Sequence, residues 1–247
     1  MKVLKHLAFA LLAVGTPLAA EDLVVFAAAS LKGPLDQILA EHGDVRVSYG
    51  GSGTLARQVQ QGAPADVVLL AHAAWMDVLV DAGAVDAPVP FVGNRLVVVG
   101  LEGAGPLALS ERALLAALGD GRLAVGFVEA VPAGIYGKSA LTHLGLWDAL
   151  RPKIAEVDNV RGAVALVARG EAPLGVVYRS DAALVLGVEE RAVFPAASHP
   201  PIIYLGAVTA ASVHPLAQEV LEMLTEPKAQ DVFAKAGFCA MGQGCAE

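Results

Sequence analysis

The strongest constraint on this sequence is a pattern that occurs five times: an apolar run, a short polar turn and then a helical stretch. The five turns are Ala28-Ala29-Ser30, Gly50-Gly51-Ser52-Gly53-Thr54, Val131-Pro132-Ala133-Gly134, Asp158-Asn159-Val160-Arg161-Gly162 and Tyr178-Arg179-Ser180-Asp181. They offer neutral hydrogen-bond donors rather than catalytic groups. Because the first turn of a helix carries unpaired backbone N–H groups and a partial positive charge, several such turns together predict a cage for an anion.

Strand and helix patterns alternate along the chain. Strands are predicted at residues 23–28, 45–49, 66–70, 95–100, 123–127, 154–157, 175–178 and 202–209. Helices are predicted at 35–42, 55–61, 75–82, 112–118, 134–144 and 163–169, directly after 178, and at 216–224 and 228–236. This alternation is typical of an α/β fold, in which mostly parallel sheets have helices on both faces.

The length favours two such units rather than one. The stretches 87–93 and 194–201 are rich in proline or lie between patterned segments, so we interpret them as linkers. Two crossings return the chain to the first unit, which predicts lobes at residues 21–92 plus 200–247 and at 93–199. Ligands of open α/β sheets lie at the carboxyl ends of the strands, where all five turns belong, so the predicted site is the hinge cleft between the lobes.

Residues 1–20 resemble a secretory signal peptide. Lys2 and Lys5 precede an apolar stretch, and Leu18-Ala19-Ala20 supplies small residues before a cleavage site after Ala20. The alternative is a membrane anchor, but the apolar run is too short to span a bilayer comfortably. The sequence therefore predicts an exported protein.

The charge balance argues against nucleic acid as a partner. The formal net charge of the whole chain is −8, and it becomes −10 without the predicted signal, which contains two lysines and no acidic residue. Nucleic-acid binding depends on Lys and Arg contacts to phosphate. A small anion is still possible, because its capture depends on the local potential of a cleft.

Cys239 and Cys245 are the only cysteines, and both lie near the C-terminus. In an exported protein an even cysteine count favours a disulfide, here one that closes a short loop. The alternative is two free thiols. A metal site is disfavoured because no histidine lies nearby, and the histidines elsewhere show no metal-binding spacing.

Several residues have ordinary structural alternatives. Ser30 could simply cap the first helix. The glycines around Ser52 would let backbone N–H groups approach a ligand, although Thr54 breaks the nucleophile-elbow pattern. Gly137-Lys138-Ser139 imitates a P-loop, but Pro132 stands where that motif needs glycine. Trp75 and Trp147 are expected in the core, and the histidines on the surface.

Taken together, a series of motifs resembles the periplasmic molybdate-binding proteins of ABC-type uptake systems, in the order of that family and over almost the whole mature chain. The motifs are Val25-Phe26-Ala27-Ala28-Ala29-Ser30-Leu31, Gly51-Ser52-Gly53-Thr54-Leu55-Ala56-Arg57-Gln58, Gly62-Ala63-Pro64-Ala65-Asp66, Trp75-Met76-Asp77, Gly93-Asn94-Arg95-Leu96-Val97-Val98-Val99, Val131-Pro132-Ala133-Gly134-Ile135-Tyr136, Val160-Arg161-Gly162-Ala163 and Pro173-Leu174-Gly175-Val176-Val177-Tyr178. The resemblance implies a two-lobed, type II periplasmic binding fold that closes over one tetrahedral dianion.

The resemblance also implies the ligand set. Molybdate, with tungstate expected as well, would be held by the hydroxyls of Ser30, Ser52 and Tyr178 and by the backbone N–H groups of Ala133 and Val160. Molybdenum would be bound as its oxyanion, with no direct protein ligand to the metal and no cofactor. The expected chain is monomeric and delivers its ligand to the membrane permease of an ABC transporter. Arg161 and Arg179 are expected to flank the site and point away.

Four other functions are weighed against this one. A sulfate or phosphate binder is the nearest, and a ferric-ion binder would need clustered tyrosines or carboxylates. A hydrolase acting through Ser30 or Ser52 lacks a convincing general base, so an enzyme is not expected. A sensing domain of a regulator is disfavoured by the signal peptide and by the missing helix-turn-helix pattern.

Overall fold

A computed structural model describes residues 22–241, which form two five-stranded sheets. The first sheet contains β1 (Leu23–Ala28), β2 (Val45–Gly50), β3 (Val67–Leu70), β4 (Val89–Gly93) and β10 (Ile203–Val208). The second contains β5 (Leu96–Leu101), β6 (Leu123–Gly126), β7 (Ile154–Val157), β8 (Leu174–Tyr178) and β9 (Val188–Val193). The predicted signal peptide, residues 1–20, lies outside the described residues, and so does Cys245, so the disulfide with Cys239 stays a prediction.

Both sheets have the same arrangement of strand directions. The orders are β2-β1-β3-β10-β4 and β7-β6-β8-β5-β9. In the first sheet β10 is antiparallel to both of its neighbours, while β1 is parallel to β2 and β3. In the second sheet β5 is the reversed strand. Four of the five strands in each sheet therefore run the same way, which confirms the prediction of mostly parallel sheets.

The helices flank these sheets. They are α1 (Lys32–Ile38), α2 (Ser52–Gln60), α3 (Ala73–Asp81), α4 (Glu111–Leu118), α5 (Pro132–His143), α6 (Trp147–Leu150), α7 (Val160–Ala168), α8 (Arg179–Ala182), α9 (Ala217–Met223) and α10 (Pro227–Lys235), with 3-10 turns at Ala29–Leu31, Arg151–Lys153 and Ala196–Ser198. Among the described residues, no helix is both long enough and apolar enough to cross a membrane.

Side-chain alternation explains why the first sheet is covered on both faces. Val25 of β1 packs into the larger core cluster, which includes Leu35 of α1, while its neighbour Phe26 packs into a second cluster with Leu55 of α2 and Met76 of α3. Successive side chains of a strand point to opposite faces, so an uninterrupted apolar run fits a strand buried on both sides.

The chain passes between the sheets twice, at residues 94–95 and 194–202. Gly93 pairs with Ile203 at one side of this region, and Leu96 pairs with Tyr178 at the other. Each reversed strand thus begins beside the carboxyl ends of its parallel neighbours. Both crossings therefore connect the two sheets at these strand ends.

Two strands differ from the prediction. The proline-rich stretch at 87–93 was expected to be a linker, but it contains the edge strand β4, and β9 had not been predicted. Helices α2, α5 and α7 also begin two to three residues earlier than expected, at Ser52, Pro132 and Val160. The earlier starts place predicted ligand residues in the first turns of these helices.

Candidate functional site

A small cavity between the two sheets is lined by all five predicted ligand residues, Ser30, Ser52, Ala133, Val160 and Tyr178. The remaining lining residues are Ala28, Ala29, Gly50, Gly51, Ala71, Val131, Pro132 and Asn159. The cavity volume is about 10 Å³, which is space for a compact group and not for a large organic solute. None of these lining residues is a Lys, Arg, His, Asp or Glu.

Three helix N-termini contribute to the lining. Helix α2 begins at Ser52 after Gly51, α5 begins at Pro132 after Val131, and α7 begins at Val160 after Asn159. The Asn159 side chain accepts the N–H of Gly162, so it caps α7 without using the N–H of Val160. These helices have nine, twelve and nine residues, and their ends add partial positive charge at the cavity.

Ser52 is held by one hydrogen bond that leaves its proton available. The Ser52 Oγ accepts the backbone N–H of Ala71 at 3.0 Å, and the residue is buried. A hydroxyl has one donor hydrogen and two acceptor lone pairs. With one lone pair used by Ala71, the Ser52 hydroxyl can still donate to an anion in the cavity.

Ser30 does not act as a helix cap. It lies within the 3-10 turn Ala29–Leu31, and its Oγ is 2.7 Å from the hydroxyl of Tyr204 on β10. The Tyr204 hydroxyl also accepts from Asn94 Nδ2 at 3.2 Å. The simple capping interpretation of Ser30 is therefore wrong.

Tyr178 ends β8 with its hydroxyl buried, and this hydroxyl has no hydrogen-bond partner among the described residues. Burial raises the pKa of Tyr178 well above its ordinary value, and the nearby Tyr204, Tyr136 and Asp181 act in the same direction. The group is therefore a neutral donor at physiological pH. Since buried polar groups are normally paired, an unpaired hydroxyl in the wall of a cavity points to a ligand that supplies the acceptor.

Arg161 and Arg179 do not line the cavity, as expected, but Arg161 forms hydrogen bonds across the cleft. Its Nε is 2.9 Å from Asp181 Oδ1, and its guanidinium donates to the carbonyl oxygens of Ala29 and Ser30 at 3.4 and 3.3 Å. Arg179 instead pairs with Glu190 of the edge strand β9. Arg161 thus connects α7 of the second sheet to the first turn of the first sheet.

The glycines on either side of Ser52 are packed closely against other backbone segments of the protein. A Cβ on Gly51 would meet the Asp158 carbonyl oxygen at 2.8 Å, and one on Gly53 would meet the Ala130 carbonyl oxygen at 2.5 Å. Trp75 Nε1 donates to the same Ala130 carbonyl at 3.1 Å. The sequence suggested that these glycines let backbone approach an anion, but the structure shows that they let the two sides of the cleft approach each other.

Three buried or partly buried residues near the site had not been predicted to lie there. Tyr204 and Asn94 are buried polar residues. Asn94 lies within one of the family motifs, but the sequence assigned neither residue to the site. His72 was expected on the surface, yet its ring centroid lies 5.0 Å from that of Tyr136 on α5. Burial lowers the pKa of His72, so the neutral ring is favoured there.

A larger cavity of about 330 Å³ lies beside the crossings and does not include the predicted ligand residues. Its walls are mostly apolar, with Phe194, Ile202 and Met241 among them. Within residues 22–241, no group of three or more His, Cys, Asp or Glu side chains is placed to hold a metal ion. The small cavity is therefore the better candidate for the binding site of an anion.

The chain is similar to known proteins over nearly its whole described length. A family model described as bacterial extracellular solute-binding protein matches residues 23–239. The molybdate-binding protein ModA of Escherichia coli (strain K12) is 43% identical over 235 residues, which cover 91% of each chain. That of Haemophilus influenzae is 36% identical and covers 97% of this chain and 100% of its own. The structure of the periplasmic molybdate-binding protein of Azotobacter vinelandii has a TM-score of 0.76 at 26% identity, and covers 88% of this chain and 98% of that one.

Proposed function

The chain belongs to the family of bacterial extracellular solute-binding proteins, within its molybdate-binding group, and we propose that it captures molybdate, and tungstate as well, for an ABC transporter. Members of this family bind solutes and are not enzymes. Consistent with this, neither serine of the cavity has a His, Asp or Glu hydrogen-bond partner among the described residues. Ser30 bonds to Tyr204, and Ser52 bonds to the Ala71 N–H.

The buried, unpaired hydroxyl of Tyr178 is the observation that carries this proposal. It lines one cavity together with Ser30, Ser52 and the N-termini of α5 and α7. A dianion would accept hydrogen bonds from all of these groups, and bonds to a charged acceptor are stronger than bonds between neutral groups. We therefore assign direct contacts to the hydroxyls of Ser30, Ser52 and Tyr178 and to the backbone N–H groups of Ala133 and Val160.

The same donor set disfavours hydrogen phosphate. That ion carries a proton near neutral pH and needs an acceptor, whereas no carboxylate is among the residues that line the cavity in the described chain. Sulfate is a full dianion like molybdate and differs from it mainly in size. The preference for molybdate over sulfate is supported by the relatives from Escherichia coli and Haemophilus influenzae, both of which are named for molybdate.

Capture would work by closure of two lobes, which we take as residues 21–92 plus 200–247 and residues 93–199. Each lobe contributes about half of the ligand set, with Ser30 and Ser52 on the first and Ala133, Val160 and Tyr178 on the second. A ligand that bridges them favours the closed state. We propose that a membrane permease recognises this closed shape, and that the exported chain works in the periplasm as a monomer.

Calorimetric titration of the mature protein with molybdate, tungstate, sulfate and phosphate tests the proposal. We expect one molybdate or tungstate per chain, bound far more tightly than sulfate, and phosphate bound so weakly that its affinity is measured by competition with molybdate at high phosphate concentration. Effective competition by sulfate at equal concentration would favour the alternative, a general binder of tetrahedral oxyanions.

The Tyr178→Phe variant tests the observation that carries the proposal. It keeps the ring and removes the donor, so molybdate affinity should fall by roughly tenfold to a hundredfold. The ligand-free protein should not lose stability, because the deleted hydroxyl has no partner within residues 22–241. Tyr49→Phe is the matched control: the Tyr49 hydroxyl donates to Asp36 away from the cavity, and its loss should leave the affinity unchanged.

A further inference from the structure

A chain of buried hydrogen bonds runs from the first crossing between the sheets to Ser30. It begins at Asn94, which directly follows β4 and is 4% exposed. The backbone N–H of Arg95 donates to Asn94 Oδ1 at 2.9 Å. This bond fixes the orientation of the side-chain amide, so that Asn94 presents its NH₂ group to the interior, where it donates to Ser180 Oγ at 2.8 Å and to the Tyr204 hydroxyl at 3.2 Å.

The donor role of Asn94 determines the direction of the next bond. Tyr204 is fully buried, and burial is the main reason that its pKa is raised, so the phenol keeps its proton. Its oxygen already accepts from Asn94, an amide group that cannot accept in return. The remaining partner of the Tyr204 hydroxyl is Ser30 Oγ at 2.7 Å. Tyr204 therefore donates to Ser30.

The last step concerns the proton of Ser30 itself. With a lone pair occupied by Tyr204, the Ser30 hydroxyl cannot donate back along the same bond, and its hydrogen is left for another acceptor. Ser30 also lines the small cavity. We propose that Asn94 and Tyr204 are positioning residues that turn the hydroxyl proton of Ser30 toward the bound anion and so make the site a receptor for fully deprotonated anions.

This inference rests on the proposed function and explains how the site discriminates by protonation state. Ser52 is oriented in the same way by the Ala71 N–H, and in the described part of the chain no group donates to the Tyr178 hydroxyl or accepts from it. All three hydroxyls then present hydrogens to the ligand. Without the Tyr204 hydroxyl, the Ser30 oxygen can accept a hydrogen bond from a protonated anion, so the site discriminates less strongly against such anions.

A double-mutant cycle separates this mechanism from simple packing. The variants are Ser30→Ala, Tyr204→Phe and the double variant, each titrated with molybdate, and thermal melting checks that each is folded. Tyr204→Phe keeps the ring that packs against Phe91, Tyr178 and Phe238. Each single variant should lose roughly tenfold or more in affinity. The double variant should match Ser30→Ala, because Tyr204 acts only through Ser30.

Phosphate at a pH where the monohydrogen form dominates gives the second readout. The affinity for molybdate divided by the affinity for phosphate should decrease in Tyr204→Phe and stay at the wild-type value in Tyr49→Phe. The positioning role would be overturned if the loss of molybdate affinity in the double variant equalled the product of the two single losses, or if the affinity ratio were unchanged in Tyr204→Phe. Failure of the wild-type protein to bind molybdate would instead contradict the proposed function, so the two failures are distinguishable.

Discussion

At the scale of single residues, Ser52 and Ser48 provide a direct comparison of two serines close together on the chain. Ser52 is 1% exposed and lines the cavity, whereas Ser48 is an exposed residue of β2. Replacing Ser52 by Ala deletes a donor to the anion, which costs about 1.5–3 kcal/mol, or roughly tenfold to over a hundredfold in affinity. Ser48→Ala should leave the affinity unchanged in the same titration, and equal losses would contradict the assignment of Ser52.

Asp181 is a fully buried carboxylate beside Tyr178, and its titration gives a prediction for stability. Burial raises the pKa of Asp181 from 3.8 to about 6, and the Arg161 charge opposes this shift. Between these two values the folded protein holds a proton that the unfolded chain has released. The contribution of Asp181 to stability therefore increases as pH falls from 6 toward 4, and is lost as pH rises through 6.

Chemical unfolding of the ligand-free wild type and of Asp181→Asn over this range measures the effect. The free energy of unfolding of the variant, relative to wild type, should increase by up to about 3 kcal/mol from acidic to neutral pH. Lowered pKa values of His72 and His199 give the opposite slope, but these residues are present in both proteins and cancel in the difference. Parallel pH curves would show that Asp181 keeps an ordinary pKa.

At the scale of elements, the first turn of α2 has to fit against the opposite side of the cleft. Gly53 allows this contact, because a Cβ there would lie 2.5 Å from the Ala130 carbonyl oxygen and 2.8 Å from the Trp75 ring. Overpacking of this kind costs about 1–3 kcal/mol, so Gly53→Ala should weaken molybdate binding by roughly fivefold to a hundredfold. The ligand-free protein should lose less stability than the complex, because an open cleft separates Gly53 from Ala130 and leaves only the Trp75 ring, on the same side of the cleft, to shift.

Gly43→Ala is the matched control for this substitution. No atom lies within 4 Å of a Cβ at Gly43, and its backbone φ is not positive. The control should bind molybdate as the wild type does. A Gly53→Ala variant that binds equally well would show that the tight contact seen between Gly53 and Ala130 is not needed for capture.

The strands inside the sheets could be predicted from sequence, and so could the edge strands β2 and β7, but the edge strands β4 and β9 could not. Strand β1 was predicted with its observed bounds because five of its six apolar residues are buried and the sixth, Val24, is half-buried. Strand β4 contains Pro90 and two exposed positions, and β9 reads Val-Glu-Glu-Arg-Ala-Val with no buried position. Edge strands carry charges and proline because only one of their sides is paired. The same features make them look like linkers in a sequence.

Some residues of the candidate site could also be predicted from the sequence, and others could not. Ser30, Ser52, Ala133, Val160 and Tyr178 were predicted because each lies at a strand–turn–helix junction within a family motif, and the structure brings all five to one cavity. Tyr204 and Asn94 were missed because their partners are distant in sequence: Tyr204 meets Ser30 across 174 positions. No local pattern encodes such a pairing, so only the packed fold reveals it.

At the scale of the whole molecule, the described structure has a closed cleft held by contacts between its two sides. Trp75 donates to the Ala130 carbonyl, Arg161 donates to the Ala29 and Ser30 carbonyls, and the His72 ring lies against Tyr136. Near the crossings the rings of Tyr178 and Tyr204 also lie 6.1 Å apart, and Arg161 remains partly exposed. A cleft that closes when an anion adds further bonds across it would be stabilised by these same contacts.

Closure gives the last prediction, which concerns the shape of the whole chain. An anion that bonds to Ser30 and Ser52 on one side and to Val160 and Tyr178 on the other binds the closed state better than the open one, so it must shift the population toward closure. Small-angle scattering should show a smaller radius of gyration on adding molybdate, and no change on adding phosphate at the same concentration. Hydrogen exchange should slow at residues 94–95 and 194–202, where the chain crosses between the sheets. If saturating molybdate leaves both the radius and the exchange rates unchanged, capture between two moving lobes is wrong, even where calorimetry shows tight binding.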